Sequence, residues 1–153
     1  MQRDDLVATS MVSTLVTRCI HEIRSSTAVM TIRDFQDWLA QYGRAWVAGN
    51  PDAVTRLFAS GAAYHETPFD PPMIGIDAIH RYWTDGAKNA QTDVQFEATA
   101  ISFAENTGFA WWHATFRRVP SDVFVELDGI LSARFDDTML CDEFREWWHR
   151  KES

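Results

Sequence analysis

The chain has 153 residues, a net charge of −8, seven Trp and ten Phe. This length suits one domain with a sizeable core, and the negative charge argues against a nucleic-acid partner, which would need a basic face. No apolar run approaches the roughly 20 residues of a membrane helix, and no signal peptide is visible, so we expect no membrane partner. Cys19 and Cys141 are isolated, have no metal-ligand spacing and suit a reducing cytoplasm.

The first 30 residues differ from the remainder because they contain no aromatic residue. Apolar residues between Val12 and Ile23 recur at helical spacing, which favours one helix over about residues 10–24. A disordered segment is the alternative. We therefore predict an N-terminal extension over residues 1–30 and one domain over residues 31–153.

The first half of the domain carries three helical patterns. The strongest follows Thr31 and ends at Gly49, where a glycine supplies a helix stop. A second, short helix is predicted from Pro51, which is tolerated in a first turn, and a third from Gly75 to about Gly86. The aromatic residues of the first and third patterns are Phe35, Trp38, Tyr42, Trp46, Tyr82 and Trp83.

A strand is predicted between the second and third helices, over Ala62–Thr67, and it leads into a loop with three prolines. Alternation places Tyr64 and Glu66 on one face of this strand and His65 on the other. Because proline fixes φ and lacks a backbone donor, the loop is expected to hold one shape. The end of this strand therefore suits a functional site.

Four further strands joined by short turns follow the third helix. The longest alternates most clearly, with Leu127 on its apolar face and Glu126 and Asp128 on the other. This order of elements predicts an α+β fold in which a curved, mostly antiparallel sheet wraps around three helices. The four strands are predicted over Val94–Phe103, Phe109–Val119, Val123–Phe135 and Met139–His149.

Strand pairing assigns the aromatic side chains to the two faces of the sheet. Trp112 should share the inward face with Leu127, whereas Trp111 and His113 should face outward. In the last strand, periodicity does not decide which face is inward, because both faces carry a Trp. An inward face lined by Trp and Phe is what an apolar pocket needs, and it is also what close helix packing needs.

Four segments of the domain resemble the nuclear transport factor 2-like superfamily, and its SnoaL-like branch in particular. They are DAVTRLFASGAAY, YHETPF, GIDAIHRYW and FREWWH, and with the aromatic first helix they extend over residues 31–149. The resemblance implies a cone-shaped α+β fold with a deep pocket between the helices and the curved sheet. It also implies a homodimer through the outer sheet face, here Trp111, His113 and Trp147. The activities that it implies, those of hydrolases, isomerases and polyketide cyclases, need no cofactor.

The resemblance to epoxide hydrolases of this superfamily singles out three residues. Tyr64 and Glu66 take the places of the Tyr and the Asn that hold the attacking water in those enzymes. Glu146 takes the place of the carboxylate that activates this water. This correspondence favours the face of the last strand that carries Glu146 and Trp148 as the inward one.

Neither known mechanism of the superfamily transfers whole to this chain. The Arg–Asp pair that polarises the epoxide is missing, since Ala110 and Trp112 hold the matching places. Compared with ketosteroid isomerases, the general-base aspartate falls at Thr67, which cannot do that work. The resemblance therefore implies a fold and a pocket but no particular reaction.

The residues themselves indicate acid–base chemistry in an aromatic pocket. Burial raises the pKa of a carboxyl group, and two neighbouring carboxylates do not both ionise cheaply. We therefore predict Glu146 as the base, Glu66 as the acid or a second water ligand, and Tyr64 as a positioning donor. The ligand is expected to be a small, largely apolar molecule, with no metal. Its predicted binding wall comprises Trp38, Tyr42, Trp83, Trp112, Leu127 and Trp148.

Three alternatives stay open on the sequence alone. Glu66 could pair with Arg81, which would make its role structural. His113 with Glu126 or Asp128 could form a dyad, which would be catalytic if the strand register were shifted by one residue; otherwise these residues belong to an outer, dimer-forming surface. The domain could also be a non-catalytic ligand-binding or accessory protein.

Overall fold

The structure of the protein is a computed structural model that describes residues 29–153. The helix predicted over about residues 10–24, like the rest of residues 1–28, lies outside the described residues. No helix within residues 29–153 is long and apolar enough to span a membrane.

Three helices and one π-helical turn occupy the first half of the described chain. The longest helix begins with a reciprocal cap. The Thr31 hydroxyl accepts a hydrogen bond from the backbone N–H of Asp34, and the Asp34 carboxylate accepts one from the backbone N–H of Thr31. Capping and the burial of its aromatic stripe explain why the predicted helix forms. The elements are α1 (Ile32–Val47), α2 (Pro51–Thr55), α3 (Ile76–Trp83) and the π-helical turn (Thr84–Lys88).

Six strands form one mixed, open sheet. In chain order they are β1 (Phe58–His65), β2 (Met73–Ile74), β3 (Gln91–Ala104), β4 (Thr107–Arg118), β5 (Phe124–Phe135) and β6 (Cys141–Glu152). Their order across the sheet is β2-β1-β6-β5-β4-β3, and every neighbouring pair is antiparallel except β1 with β6. The predicted α+β fold, with a curved and mostly antiparallel sheet around three helices, is confirmed.

The first strand begins earlier than the sequence predicts. The alternation suggests Ala62–Thr67, whereas β1 begins at Phe58 and ends at His65. Phe58 fits the helical spacing of α2, but the backbone carbonyl of Leu57 accepts a hydrogen bond from Cys141, at the start of β6. Local periodicity does not report this parallel pairing, because its two strands lie far apart in the chain. The sequence also misses β2, which is two residues long and pairs with the end of β1.

The helix α1 lies on the inner face of the sheet and is joined to its edge strand. The side-chain amide of Gln36 donates to the carbonyl of Ala98 (3.1 Å) and accepts from the backbone N–H of Ala100 (2.9 Å). In the middle of the helix, the ring of Tyr42 packs 5.4 Å from that of Phe144 on β6. These contacts fix the helix across the sheet and place Tyr42 above its centre.

The strands β5 and β6 approach each other closely at Gly129. Trp112, Gly129 and Trp148 are register partners across β4, β5 and β6. A Cβ on Gly129 would clash with the carbonyl oxygen of Trp147 and would lie 2.8 Å from the Cβ of Trp148. The glycine therefore permits the close approach of the two strands between two inward-facing indoles.

Candidate functional site

A cavity of about 180 Å³ lies between α1, α3 and the inner face of the sheet. Its wall is largely aromatic and carries tyrosine hydroxyls, two carboxyl groups and two guanidinium groups, which is the composition of a small-molecule site. Eight of the nine predicted site residues line it, namely Tyr42, Tyr64, Glu66, Trp83, Trp112, Leu127, Glu146 and Trp148.

Trp38 is the predicted binding residue that the structure places elsewhere. Its indole is buried in the core, stacks on Tyr42 at 5.4 Å and donates to the carbonyl of Leu57 at 3.3 Å. The aromatic stripe of α1 extends beyond the cavity along the helix. Its N-terminal part packs in the core, whereas Tyr42 and Trp46 line the cavity. Helical spacing reports that a side chain faces inward but not what it meets there.

Glu146 is the chemical centre of the cavity. It lies on β6, is 6% exposed and takes the inward face together with Trp148. Its Oε1 accepts hydrogen bonds from the hydroxyls of Tyr42 (3.2 Å) and Tyr64 (3.3 Å), and the two hydroxyls lie 2.9 Å apart. A carboxyl and two phenols from three separate elements thus form one hydrogen-bonded cluster.

The proton count of this cluster depends on the ionisation of Glu146. Each phenol has one proton to donate, so when both donate to Oε1 the proton of a neutral Glu146 carboxyl lies on Oε2. Both phenols contact Oε1, and Oε2 makes no hydrogen bond with the residues that the structure describes. Oε2 is therefore the oxygen available to a ligand.

The cavity holds a proton on Glu146 near neutral pH. Burial raises the pKa of this carboxyl to about 8, and the negative charge of Glu66 acts in the same direction. Hydrogen bonds from Tyr42 and Tyr64 act in the opposite direction but are the weaker effect. Burial likewise raises the pKa of Tyr42, Tyr64 and Tyr82 well above 10, so all three phenols stay neutral donors.

Glu66 stands just beyond the end of β1 and is partly buried. It lines the cavity together with Glu146, and the two residues also border a wider groove of about 650 Å³ beside the exposed Phe69. The groove therefore offers a route from the surface to the two carboxyl groups. Arg81, the alternative partner of Glu66, lies at a separate surface depression with Asp77.

The sequence misses several residues of the cavity wall. Tyr82 has the helical spacing of a core residue and is not distinguished from one by pattern alone. Arg150 follows the predicted end of the last strand at His149, whereas β6 continues to Glu152. Arg118 and Arg150 line the cavity, and each places its Nε 3.4 Å from the carboxylate of Glu152. The alternation of β4 and β6 continued beyond their apolar stretches would have placed both arginines inward.

The His113 cluster lies on the outer face of the sheet. Its Nε2 is 3.1 Å from Glu126 and its Nδ1 is 3.7 Å from Glu97, while Trp111 donates to Asp128 at 3.1 Å. These are cross-strand pairs on the side of the sheet opposite the cavity. Within residues 29–153, no group of three His, Cys, Asp or Glu side chains is placed to hold a metal ion.

The family of the chain is decided by its match to the model of the SnoaL-like domain, which extends over residues 39–143 and so over well more than half of the sequence. The chain belongs to the SnoaL-like family. This membership confirms the resemblance drawn from the sequence motifs. No curated protein matches the sequence of this SnoaL-like protein.

Solved structures share the SnoaL-like fold. One of them is SalBIII, an epoxide hydrolase/cyclase-like enzyme with a role in pyran ring formation in the polyether salinomycin. It is 16% identical, the match covers 74% of this chain and 88% of SalBIII, and the TM-score is 0.65. This likeness shows the fold, and since 296 chains of known structure match, the fold alone identifies no reaction.

Proposed function

We propose that this SnoaL-like protein is a cofactor-independent enzyme of hydrolase, isomerase or cyclase type that acts on a small, largely apolar molecule. The observation that carries the proposal is Glu146, a buried carboxyl with a pKa of about 8 that is held by two phenols at the wall of an aromatic cavity. A group with a pKa near the working pH is suited to proton transfer in either direction.

The proposed division of work differs from the one suggested by the sequence. At neutral pH the proton is on Glu146, so we assign this residue as the acid, and Glu66 on the same cavity as the base. Glu146 takes the role of base only above about pH 8. Tyr64, expected to position a ligand, instead orients the Glu146 carboxyl together with Tyr42.

Opening of an epoxide illustrates the proposed chemistry. The Glu146 carboxyl donates its proton to the epoxide oxygen as the C–O bond breaks. A hydroxyl of the same molecule, or a water molecule, forms the new C–O bond and gives its proton to Glu66. Attack by the hydroxyl closes a ring, and attack by water gives a diol. In both reactions the product gains a proton from Glu146, and the nucleophile loses one to Glu66.

A non-catalytic ligand-binding or accessory protein is the second candidate. Ala110 and Trp112 favour it, because they stand where epoxide hydrolases of the superfamily have their polarising pair, and both are fully buried apolar residues. A binder would use the same aromatic wall but would have no need to transfer a proton.

Turnover of matched probes by the wild type and the Glu146→Gln variant separates the two candidates. Styrene oxide tests hydrolysis and 4,5-epoxyhexan-1-ol tests ring closure, both followed by gas chromatography. For an enzyme, we expect Glu146→Gln to lower kcat at least 100-fold while the Kd for the product changes less than threefold. The matched control is Glu143→Gln, a carboxyl on the same strand that is paired with arginines away from the cavity.

The result that contradicts catalysis by Glu146 is turnover that persists in Glu146→Gln. Binding of both probes without any turnover by the wild type would favour the binder.

We also propose that the protein forms a homodimer in the cytoplasm. The row Trp111, Ile130 and Trp147 crosses the outer face of β4, β5 and β6, and Ile130 and Trp147 are 37% and 44% exposed. A contiguous apolar row beside the polar side chains of His113 and Glu126 is typical of an interface. The buried thiol of Cys141 suits a reducing compartment.

A further inference from the structure

Two indole N–H groups at the cavity wall differ from those of three other tryptophans, which have an acceptor. The indole of Trp38 donates to the carbonyl of Leu57 at 3.3 Å, and that of Trp46 donates to the side chain of Gln91 at 2.8 Å. The indole of Trp111 donates to the carboxylate of Asp128 at 3.1 Å. In contrast, the N–H groups of Trp83 and Trp112 are buried and have no acceptor among the described residues. Both side chains line the cavity and are at most 4% exposed.

Aromatic rings pack against these two indoles. Trp83 stands perpendicular to the rings of Tyr42 and Trp46, at centroid distances of 5.3 and 5.6 Å. Trp112 stacks on Phe96 at 6.2 Å and packs against Trp46 at 5.8 Å. A buried donor left without a partner is costly, and such groups in native proteins call for an explanation. Both side chains line the cavity, so a molecule bound there is the remaining source of an acceptor.

Apart from the carboxyl groups of Glu66 and Glu146, the remaining polar groups of the cavity are also donors. The tyrosine hydroxyls are neutral, and the guanidinium groups of Arg118 and Arg150 only donate. Gln91 has its carbonyl oxygen occupied by Trp46, which leaves its NH₂ group. A ligand that meets this donor-rich part of the wall must bring acceptors.

We propose that the cavity binds an apolar molecule bearing a carbonyl or carboxylate oxygen, and that the indole N–H groups of Trp83 and Trp112 donate hydrogen bonds to that oxygen. At about 180 Å³ the cavity is somewhat larger than the roughly 150 Å³ that holds benzene, so a body on the order of ten heavy atoms fits. The inference rests on the proposed function only in that it uses the same cavity.

Three probes of one carbon skeleton test the proposal on the full chain. They are 4-phenylbutan-2-one, which brings a carbonyl, butylbenzene, which brings none, and 4-phenylbutan-2-amine, which brings a cation. We expect the ketone to bind at least about fivefold more tightly than the hydrocarbon, the value of roughly one hydrogen bond, and also more tightly than the amine, whose ammonium group accepts no hydrogen bond. Kd values come from quenching of tryptophan fluorescence.

Nuclear magnetic resonance shows which indoles respond. In ¹H–¹⁵N spectra, the ketone should move the indole N–H resonances of Trp83 and Trp112 downfield, as a new hydrogen bond to oxygen does, and butylbenzene should not. The variants Trp83→Phe and Trp112→Phe should lose the preference for the ketone over the hydrocarbon. Trp111→Phe, whose indole lies on the outer face, is the matched control and should retain the preference.

The wild-type spectra keep the proposal testable even if a Trp→Phe variant does not fold. Equal Kd values for ketone and hydrocarbon would overturn it. So would a ketone that moves neither resonance, the result expected if these N–H groups donate to the faces of aromatic rings. Either outcome leaves catalysis by Glu146 standing if the epoxide probes are turned over. Conversely, ketone binding with the expected shifts survives a failure to find turnover.

Discussion

Glu146 combines two properties that are rarely found together in a carboxyl group. It is almost fully buried, and it is hydrogen-bonded by the neutral phenols of Tyr42 and Tyr64 rather than by a cation. An arginine in place of either phenol would have lowered its pKa, whereas burial near Glu66 raises the pKa to about 8. The residue is thus set to exchange a proton near neutral pH, at a cost in stability when it ionises.

That cost predicts how stability depends on pH. The pKa of Glu146 rises from 4.5 to about 8 on folding, so between these values the folded state binds more protons than the unfolded state. The contribution to the free energy of unfolding is therefore full below pH 4.5 and is lost as the pH rises to about 8. At 1.36 kcal/mol per pKa unit, the loss is at most roughly 5 kcal/mol.

Glu146→Gln should remove this dependence, because the amide cannot ionise but still accepts from the two phenols. Urea unfolding at pH 5 and pH 9 measures it. We expect the wild type to lose stability relative to the variant between the two values. A difference between the two proteins that stays constant from pH 5 to pH 9 would show that Glu146 ionises at its ordinary pKa.

Among the elements, β5 and β6 have a tight backbone contact at Gly129. Gly129 lies between its register partners Trp112 and Trp148. The space that a Cβ on Gly129 would need is occupied mainly by backbone atoms of β6. Backbone atoms cannot rotate away as a side chain can. The close approach of β5 and β6 between these two cavity-lining indoles therefore depends on one glycine in β5.

Gly129→Ala tests this dependence. The new methyl group would clash with the Trp147 carbonyl and lie 2.9 Å from the Cα of Trp148, so we expect a loss of about 1–3 kcal/mol in urea unfolding. Gly61→Ala in β1 is the control, since nothing lies within 4 Å of its added Cβ, and it should be neutral or stabilising by about 0.4–1 kcal/mol. Equal effects of the two substitutions would count against a strand contact as the cause.

At the scale of the whole molecule, the two faces of the sheet have different tasks. The inner face carries the cavity, and the outer face carries the row Trp111, Ile130 and Trp147 that we propose as the dimer surface. Neighbouring residues such as Trp111 and Trp112 point to opposite sides. The two faces meet at the groove beside Phe69, which is bordered both by this row and by Glu66 and Glu146.

Ile130→Lys should shift the protein from dimer to monomer, because it places a charge in the middle of the apolar row. Light scattering coupled to size-exclusion chromatography gives the mass directly. Val47→Lys is the control, an exposed apolar residue at the end of α1, on the side of the sheet away from that row. An Ile130→Lys protein that keeps the mass of the wild-type dimer would place the interface elsewhere, and a monomeric wild type would rule the dimer out.

The sequence by itself determined the fold class and the inward or outward side of most strand residues. Helical spacing and alternation are local properties of the chain, so they predict α1, β4 and β5 and assign Trp112 and Leu127 inward. The match of the SnoaL-like family model to residues 39–143 agrees with these patterns.

Only the tertiary structure decided what those inward side chains meet. Trp38 and Tyr42 share one helical stripe, yet the first packs in the core and the second reaches the cavity. The parallel pairing of β1 with β6 and the proton on Glu146 are likewise invisible in the sequence. The physical reason is that desolvation and hydrogen bonding act through space. The phenol of Tyr42 contacts the carboxyl of Glu146 only when α1 is packed against the sheet.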